Sequence, residues 1–212
     1  MEILNQLSTR QNDKTELSNR NVAEQCISNP DNLEEIVKGF ADKDKKLQSD
    51  CIEVCTMVAE NNPELIVPYA DKIIPLLKSK VTKTRWEAAH TLSFIANLAQ
   101  EIIASVLPDL QEIIEKDKST VVRDYSIDII ANYAGTDKEA SVKAFKILQY
   151  ALHLWDEKHA KQAIKGLSKV LNNLPSMSSQ IKEIVQPYLN AKKKVVITEV
   201  KKILKQIEKL NT

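Results

Sequence analysis

The stretch VLPDLQEIIEKDKSTVVRDYSIDIIANYA (residues 106–134) contains two segments with helical hydrophobic spacing and a polar turn between them. In the second segment, apolar or small side chains follow Ser126 at offsets of 1, 4, 7 and 8 residues. These offsets form one side of an α-helix, so the segment predicts a helix with one buried face. The whole stretch predicts an antiparallel pair, in which the first helix is called helix A and the second helix B.

The helix-B pattern occurs five times along the chain. The first residues of the buried face, here called anchors, are Cys51, Ala88, Ser126, Ala163 and Val200, which are 37, 38, 37 and 37 residues apart. Repeats of this length are typical of helix pairs that bury their faces against neighbouring pairs. We therefore predict one all-α domain over residues 1–212, with the fold of a right-handed α-α superhelix. Its five repeats are expected at about 31–61, 62–99, 100–135, 136–174 and 175–212.

The two ends of the chain depart from this pattern. Lys201 and Glu208 interrupt the apolar face of the fifth copy. A terminal repeat has no following neighbour, so such polar positions are expected there, and we predict a C-terminal cap. At the other end, a short helix is expected near 13–28. Residues 1–12 are predicted to be frayed, unless Ile3, Leu4 and Leu7 cap the core.

The composition favours helices and argues against several classes of function. The chain has only 3 Gly and 5% aromatic residues, and its net charge of +1 provides no general attraction to nucleic acids or membranes. No stretch has the apolar length of a membrane-spanning helix. An odd count of 3 cysteines and a polar N-terminus favour a reducing compartment, so a cytoplasmic location is expected.

The sequence contains no recognisable catalytic or cofactor motif. It has no glycine-rich phosphate loop, nucleophile elbow or HExxH pattern. Cys51 and Cys55 lie one helical turn apart, but no histidine has ligand-like spacing to them. Both cysteines occupy buried positions of helix B, where cysteine packs as a small apolar residue. We expect core cysteines, no metal, no cofactor and no enzymatic activity.

Two copies carry a more specific signature of a proline in helix A, a turn aspartate and an early helix-B arginine. In the best copy these residues are Pro108, Asp117, Val122 and Arg123. In the copy before it, Pro68 and Arg85 match, whereas Ser79 stands where the aspartate is expected. The chain therefore resembles the HEAT/armadillo class of helical repeats. That class includes transport adaptors, phosphatase scaffolds, lyase-like proteins and a DNA-repair group, so the resemblance implies a fold and leaves the function open.

Three helix-B positions point away from the buried face, namely those two before, two after and six after each anchor. In a solenoid these positions line up across repeats on the concave surface. In the second repeat they are Trp86, His90 and Phe94, and Met57 is the neighbouring large residue of the first. Large side chains there are typical of a partner-binding site and also of packing between neighbouring helices. The sequence leaves both interpretations open.

The same positions change sign along the chain, from Glu53, Asp124 and Asp128 to a series of lysines. This change would orient an elongated partner of opposite charge order, unless the lysines only solvate exposed helices. The predicted partner-binding residues are Met57, Trp86, His90, Phe94, Asp128, Lys161, Lys165, Lys169 and Lys202.

We predict a non-enzymatic scaffold that binds a peptide or partner helix along the concave helix-B face. The alternative is a nucleic-acid-binding protein related to the HEAT-like alkylpurine DNA glycosylases. Residues of the required types are Trp86, Arg123, Asp124, Asp128 and Trp155, although the acidic centre of the face opposes phosphate binding. A third hypothesis is assembly through the amphipathic tail helix 191–209. Its apolar face is already assigned to the core, which argues against membrane binding.

Overall fold

The computed structural model describes residues 2–210, and all regular structure in that range is helical. Contacts divide the chain into two compact units, Met1–Ile102 (unit 1) and Ile103–Thr212 (unit 2). A single domain over the whole chain therefore stays a prediction. Each of the five predicted repeats contains one helix A and one helix B.

Unit 1 contains an N-terminal segment followed by two helix pairs. Its α-helices are α1 (Ser8–Gln11), α2 (Leu17–Ser28), α3 (Asn32–Lys38), α4 (Lys45–Asn61), α5 (Ala70–Ile73) and α6 (Thr82–Ile95). Short 3-10 turns at Ile3–Gln6, Gly39–Ala41, Pro63–Leu65, Val67–Tyr69 and Ile74–Lys78 connect or extend them. The two helices B, α4 and α6, pack against each other, and α2 covers the free side of α4.

Unit 2 contains the other three helix pairs. Its helices are α7 (Gln100–Lys116, which begins just before the unit boundary), α8 (Thr120–Ala134), α9 (Lys138–Ala151), α10 (Ala160–Asn173), α11 (Ser178–Val185) and α12 (Lys194–Leu210). Turns of 3-10 helix at Pro175–Met177 and Gln186–Asn190 flank α11. The helices B of this unit stack in order, because α10 packs on α8 and α12 packs on α10.

The predicted helix-B face forms the core. In the first four copies every residue at offsets 0, 1, 4, 7 and 8 from the anchor is buried. In the fifth copy Val200 and Ile207 are buried, whereas Lys201 and Glu208 are exposed. The apolar face of α12 therefore packs inside unit 2, and its polar positions lie where a cap requires them.

The turn from helix A to helix B has the same hydrogen bonds in the two best copies. Asp117 Oδ1 accepts from the N–H two residues later at 2.7 Å, and Arg123 donates to the Asp117 carbonyl. In the preceding copy Ser79 Oγ accepts from the N–H two residues later at 3.2 Å, and Arg85 donates to the Ser79 carbonyl at 2.8 Å. Ser79 therefore performs the role of the missing aspartate, since a hydroxyl can form the same local turn more weakly.

Proline has different effects in the two units. The helix A that contains Pro68 and Pro75 is divided into 3-10 turns around the four-residue α5. Proline supplies no N–H to the backbone and clashes with the preceding turn, which accounts for these breaks. In unit 2, by contrast, α7 continues through Pro108.

The N-terminal segment is helical and not frayed, and Ile3 and Leu7, two of the three residues expected to cap the core if it did not fray, are buried. Residues Ile3–Gln6 and Ser8–Gln11 form helical turns, and Leu7 between them is completely buried. Backbone contacts also fasten this segment, since the Thr9 N–H donates to Asp50 Oδ2 of α4 at 2.7 Å. Met1, which the prediction included, lies outside the described residues.

The three cysteines belong to the core of unit 1. Cys26, Cys51 and Cys55 are buried, and burial raises the pKa of the first two thiols to about 12. Close packing around the cysteines also explains why residue 39 is a glycine, because a Cβ at Gly39 would collide with the sulfur of Cys51. These thiols therefore pack as small apolar groups.

Candidate functional site

The aromatic positions of unit 1 lie at the surface of α6. Trp86 is 36% exposed, and it forms no hydrogen bond or ring contact with any residue between 2 and 210. His90 and Phe94 are half-buried, with ring centroids 4.7 Å apart, and burial lowers the pKa of His90. Met57 on α4 is also half-buried. These four side chains lie outside the fully buried core, which favours the surface interpretation over ordinary core packing.

The acidic end of the predicted surface is not exposed. Ser49 and Glu53 are both buried, contrary to the helix-B pattern that placed them on the open face. Asn19 of α2 donates to Glu53 Oε2 at 2.6 Å, and Lys83 forms an ion pair with the same oxygen at 3.1 Å. Helix α2 covers this part of α4, and helical periodicity within α4 contains no information about that cover.

A second buried carboxyl group lies between α4 and α6. Glu87 is 4% exposed, and its Oε2 lies 2.8 Å from the Thr56 hydroxyl. Burial raises the pKa of Glu87 to about 7, since the hydroxyl contact only partly offsets the loss of water. Burial also raises the pKa of Glu53. The buried carboxyl groups of Glu53 and Glu87 therefore lie on the same helices B that carry Met57 and the aromatic positions.

The corresponding surface of unit 2 is formed by four lysines, here called the lysine row. It consists of Lys161, Lys165 and Lys169 on α10 with Lys202 on α12. Lys165 and Lys202 are exposed, whereas Lys161 and Lys169 are half-buried. All four predicted lysines therefore reach solvent to some degree.

Asp128 on α8 is half-buried next to the lysine row. Burial and the nearby Asp124 raise its pKa to about 6, although the α10 lysines act in the opposite direction. Lys169 donates to Asn132 of α8, and burial lowers the pKa of this lysine. The charges of α8 and α10 are therefore coupled across the contact between two repeats.

A buried arginine joins the same two helices. Arg123 of α8 is 2% exposed, and its Nε–H donates to Nε2 of His159 at 2.9 Å. The other ring nitrogen of His159 lies 2.6 Å from Asp124 Oδ1. Since Nε2 accepts from arginine, the imidazole proton is on Nδ1 and donates to the carboxylate. Arg123, His159 and Asp124 therefore form a chain of polar contacts between two successive repeats.

Trp155 covers the guanidinium group of Arg123. Its ring centroid lies 3.9 Å from Arg123 Cζ, and its Nε1–H donates to the Ile114 carbonyl at 2.8 Å. Trp155, Asp156 and Glu157 all have positive φ angles, between 54° and 59°. Left-handed backbone is unfavourable for such residues, so the contacts of Trp155 compensate for local strain. Arg123, Asp124 and Trp155 thus have structural partners inside unit 2.

His159 and its partners are the main feature that the sequence left undetected. His159 follows Arg123 by 36 residues, close to one repeat, which is the only sequence signal that links them. Two recesses in unit 1 were also not anticipated, one of about 360 Å³ near Asp13 and Asp50 and one of about 680 Å³ near Phe40 and Tyr69. Neither recess is lined by a predicted partner-binding residue.

No protein-family model matches the chain, and no match exists among curated proteins. Solved structures do match. A designed armadillo repeat protein in complex with the peptide (KR)4 has a TM-score of 0.75 and 17% identity, covering 97% of this chain and 98% of its own. A computationally designed armadillo repeat protein for modular peptide recognition has a TM-score of 0.72 and 19% identity, covering 96% and 97%. An archaeal HEAT-like repeat protein from Thermococcus onnurineus has a TM-score of 0.55 and 13% identity, covering 92% and 94%.

These similarities show the fold. The chain has the all-α superhelical repeat fold of the HEAT/armadillo type, as its sequence period predicted. Among residues 2–210, no helix has both the length and the apolar character needed to span a bilayer.

Proposed function

We propose that this protein is a non-enzymatic scaffold that binds a peptide or a partner helix along its helix-B surface. The observation that carries the proposal is the exposed indole of Trp86. It lies opposite the core face of α6, on the same side as the ring pair of His90 and Phe94, and it forms no hydrogen bond or ring contact in residues 2–210. Tryptophan is among the residues that contribute most to binding when a partner removes it from water.

The lysine row supports the proposal from unit 2. Side chains at equivalent helix-B positions are available for contact in both units. This agrees with a binding surface to which successive repeats contribute equivalent residues. Similar folds offer a precedent, since one of them is a complex with the peptide (KR)4 and another was designed for modular peptide recognition.

The proposal can be tested by selecting peptides from a random library on the immobilised protein and measuring affinities by fluorescence anisotropy. Trp86→Ala is expected to weaken a selected peptide by about 30-fold, equivalent to about 2 kcal/mol. Tyr150→Ala is the matched control, because Tyr150 is an exposed aromatic residue on the helix A α9. Failure to select any peptide would overturn the proposal. So would affinities that are unchanged in both Trp86→Ala and Lys165→Glu while circular dichroism shows intact helices.

A further inference from the structure

We infer that the lysine row of unit 2 binds a peptide segment rich in Asp and Glu. This inference rests on the proposed function and specifies the chemistry of the partner. It concerns only the surface of α8, α10 and α12.

Three of the four cationic groups of this surface are available to a partner, whereas Lys169 already donates to Asn132. Neither Lys161 nor Lys165 forms a hydrogen bond or an ion pair within 4 Å in residues 2–210. Lys202 forms one ion pair, at 2.9 Å to Glu199, yet its side chain stays 66% exposed. An exposed ammonium group can exchange a weak surface pair for a carboxylate of a bound peptide with little loss.

The carboxylates of the same surface are already engaged or withdrawn. Asp124 accepts from His159, and Glu199 is only 13% exposed beneath its pair with Lys202. Asp128 is half-buried, and its pKa is raised to about 6, so it offers less negative charge than an exposed aspartate near that pH. Lysine ammonium groups therefore dominate what an approaching partner meets.

The spacing of the row suits several carboxylates at once. Lys161, Lys165 and Lys169 follow one another at intervals of four residues, which corresponds to about 6 Å of helix rise each. Alternate side chains of an extended peptide are separated by about 6.6–6.8 Å on one face. Acidic residues at every second position can consequently approach successive lysines without distortion.

A peptide fits this surface better than a nucleic acid does. A phosphate backbone presents a regular series of charges and requires a surface that is basic throughout. Here the carboxylates of Asp124 and Asp128 lie close to the lysines and would repel phosphates. A peptide avoids the conflict by placing neutral side chains opposite the two aspartates.

The first experiment uses three fluorescein-labelled octapeptides, (EQ)4, (KR)4 and (QN)4, with the full chain at low salt. We expect (EQ)4, which is acidic at every second position, to bind more tightly than the other two and to lose affinity as salt is added. Lys165→Glu should weaken (EQ)4 by about tenfold, and Lys165→Gln by less. Lys146→Glu is the matched control, because Lys146 is exposed on α9, a helix A. Equal binding of (QN)4, tighter binding of (KR)4, or no effect of both Lys165 variants would overturn the inference.

Two further arms distinguish this inference from its alternatives. A labelled 20-base-pair duplex that binds more tightly than (EQ)4, with the same dependence on Lys165, would overturn the inference in favour of a nucleic acid. In the library selection, acidic peptides whose affinity depends on Lys165 would support the inference. Peptides that depend on Trp86 and lack acidic residues would overturn the inference and leave the proposed function intact, whereas recovery of no peptide would overturn the proposed function.

Discussion

The two tryptophans of this protein are exposed to a similar extent but have different surroundings. Trp86 in unit 1 is 36% exposed and makes no hydrogen bond or ring contact within residues 2–210, whereas Trp155 in unit 2 is 43% exposed. Trp155 nevertheless stacks on the buried Arg123 and donates to a backbone carbonyl. Exposure alone therefore does not identify a binding residue, because an exposed ring can still be a structural one.

The polar layers beneath the two surfaces differ in the same way. In unit 1 the layer between helices B contains the carboxyl groups of Glu53 and Glu87, and burial raises the pKa of both. In unit 2 it contains Arg123 with His159 as its hydrogen-bond partner. Buried acids with raised pKa values destabilise a unit as pH rises, whereas a fully hydrogen-bonded arginine does not titrate in the accessible range.

The largest effect is expected from removing the arginine. Arg123→Ala should lower the free energy of unfolding by about 3 kcal/mol, because His159 and the Asp117 carbonyl lose their donor inside the protein. Urea unfolding followed by circular dichroism measures the change. Arg20→Ala is the control, because Arg20 is exposed on α2 and should change stability by less than about 0.5 kcal/mol. Equal effects of both variants would contradict the structural role of Arg123.

The second prediction compares the tryptophans directly. Trp155→Ala should destabilise the protein by about 2 kcal/mol, because it removes a cation–π contact and a hydrogen bond. Trp86→Ala should destabilise the protein less, by about 1 kcal/mol, because it removes partly buried apolar area but no hydrogen bond or cation–π contact. Thermal and urea unfolding of the two variants provide the test. If Trp86→Ala proved the more destabilising, Trp86 would be a structural residue and the distinction would fail.

The third prediction concerns pH and unit 1. The folded-state pKa of Glu87 is raised to about 7 from 4.5, so the folded protein holds this proton more tightly than the unfolded chain. Stability from this group is therefore greatest below pH 4.5 and declines between pH 4.5 and 7. This decline should be absent in Glu87→Gln. The free energy of unfolding of the variant should therefore rise relative to that of the wild type by about 1–2 kcal/mol from pH 5 to pH 8. Unfolding curves of both proteins at the two pH values measure this difference, and parallel pH dependence would refute it.

The smallest effect is expected in the left-handed segment of unit 2. Glu157 has φ of 59°, which glycine adopts without a steric penalty, so Glu157→Gly should stabilise the protein by about 0.5–1 kcal/mol. Glu183→Gly is the matched control in α11, where glycine should destabilise by about 1 kcal/mol. Opposite signs in urea unfolding are the expected result, and destabilisation by both variants would argue against strain at Glu157.

The sequence by itself determined the repeat and the buried face of each helix B. Helical geometry is local, since a period of 3.6 residues assigns each side chain to a face whatever lies opposite. The anchors from Cys51 to Val200 are therefore buried as predicted, and the polar Lys201 and Glu208 are exposed on the cap. The same local reasoning predicted the helix-B positions of Trp86 and of the lysine row.

Only the tertiary structure decided which of those outward positions are covered and which partners they have. Glu53 is buried because α2 packs over α4, and Arg123 meets a histidine 36 residues away. Trp155 reaches Arg123 through a turn of left-handed backbone, and the residue types in that turn did not predict this conformation. Such contacts depend on how separate helices stack, and a pattern within one helix has no information about its neighbours. That is why the sequence could not show that Trp155, unlike Trp86, stacks on a buried arginine.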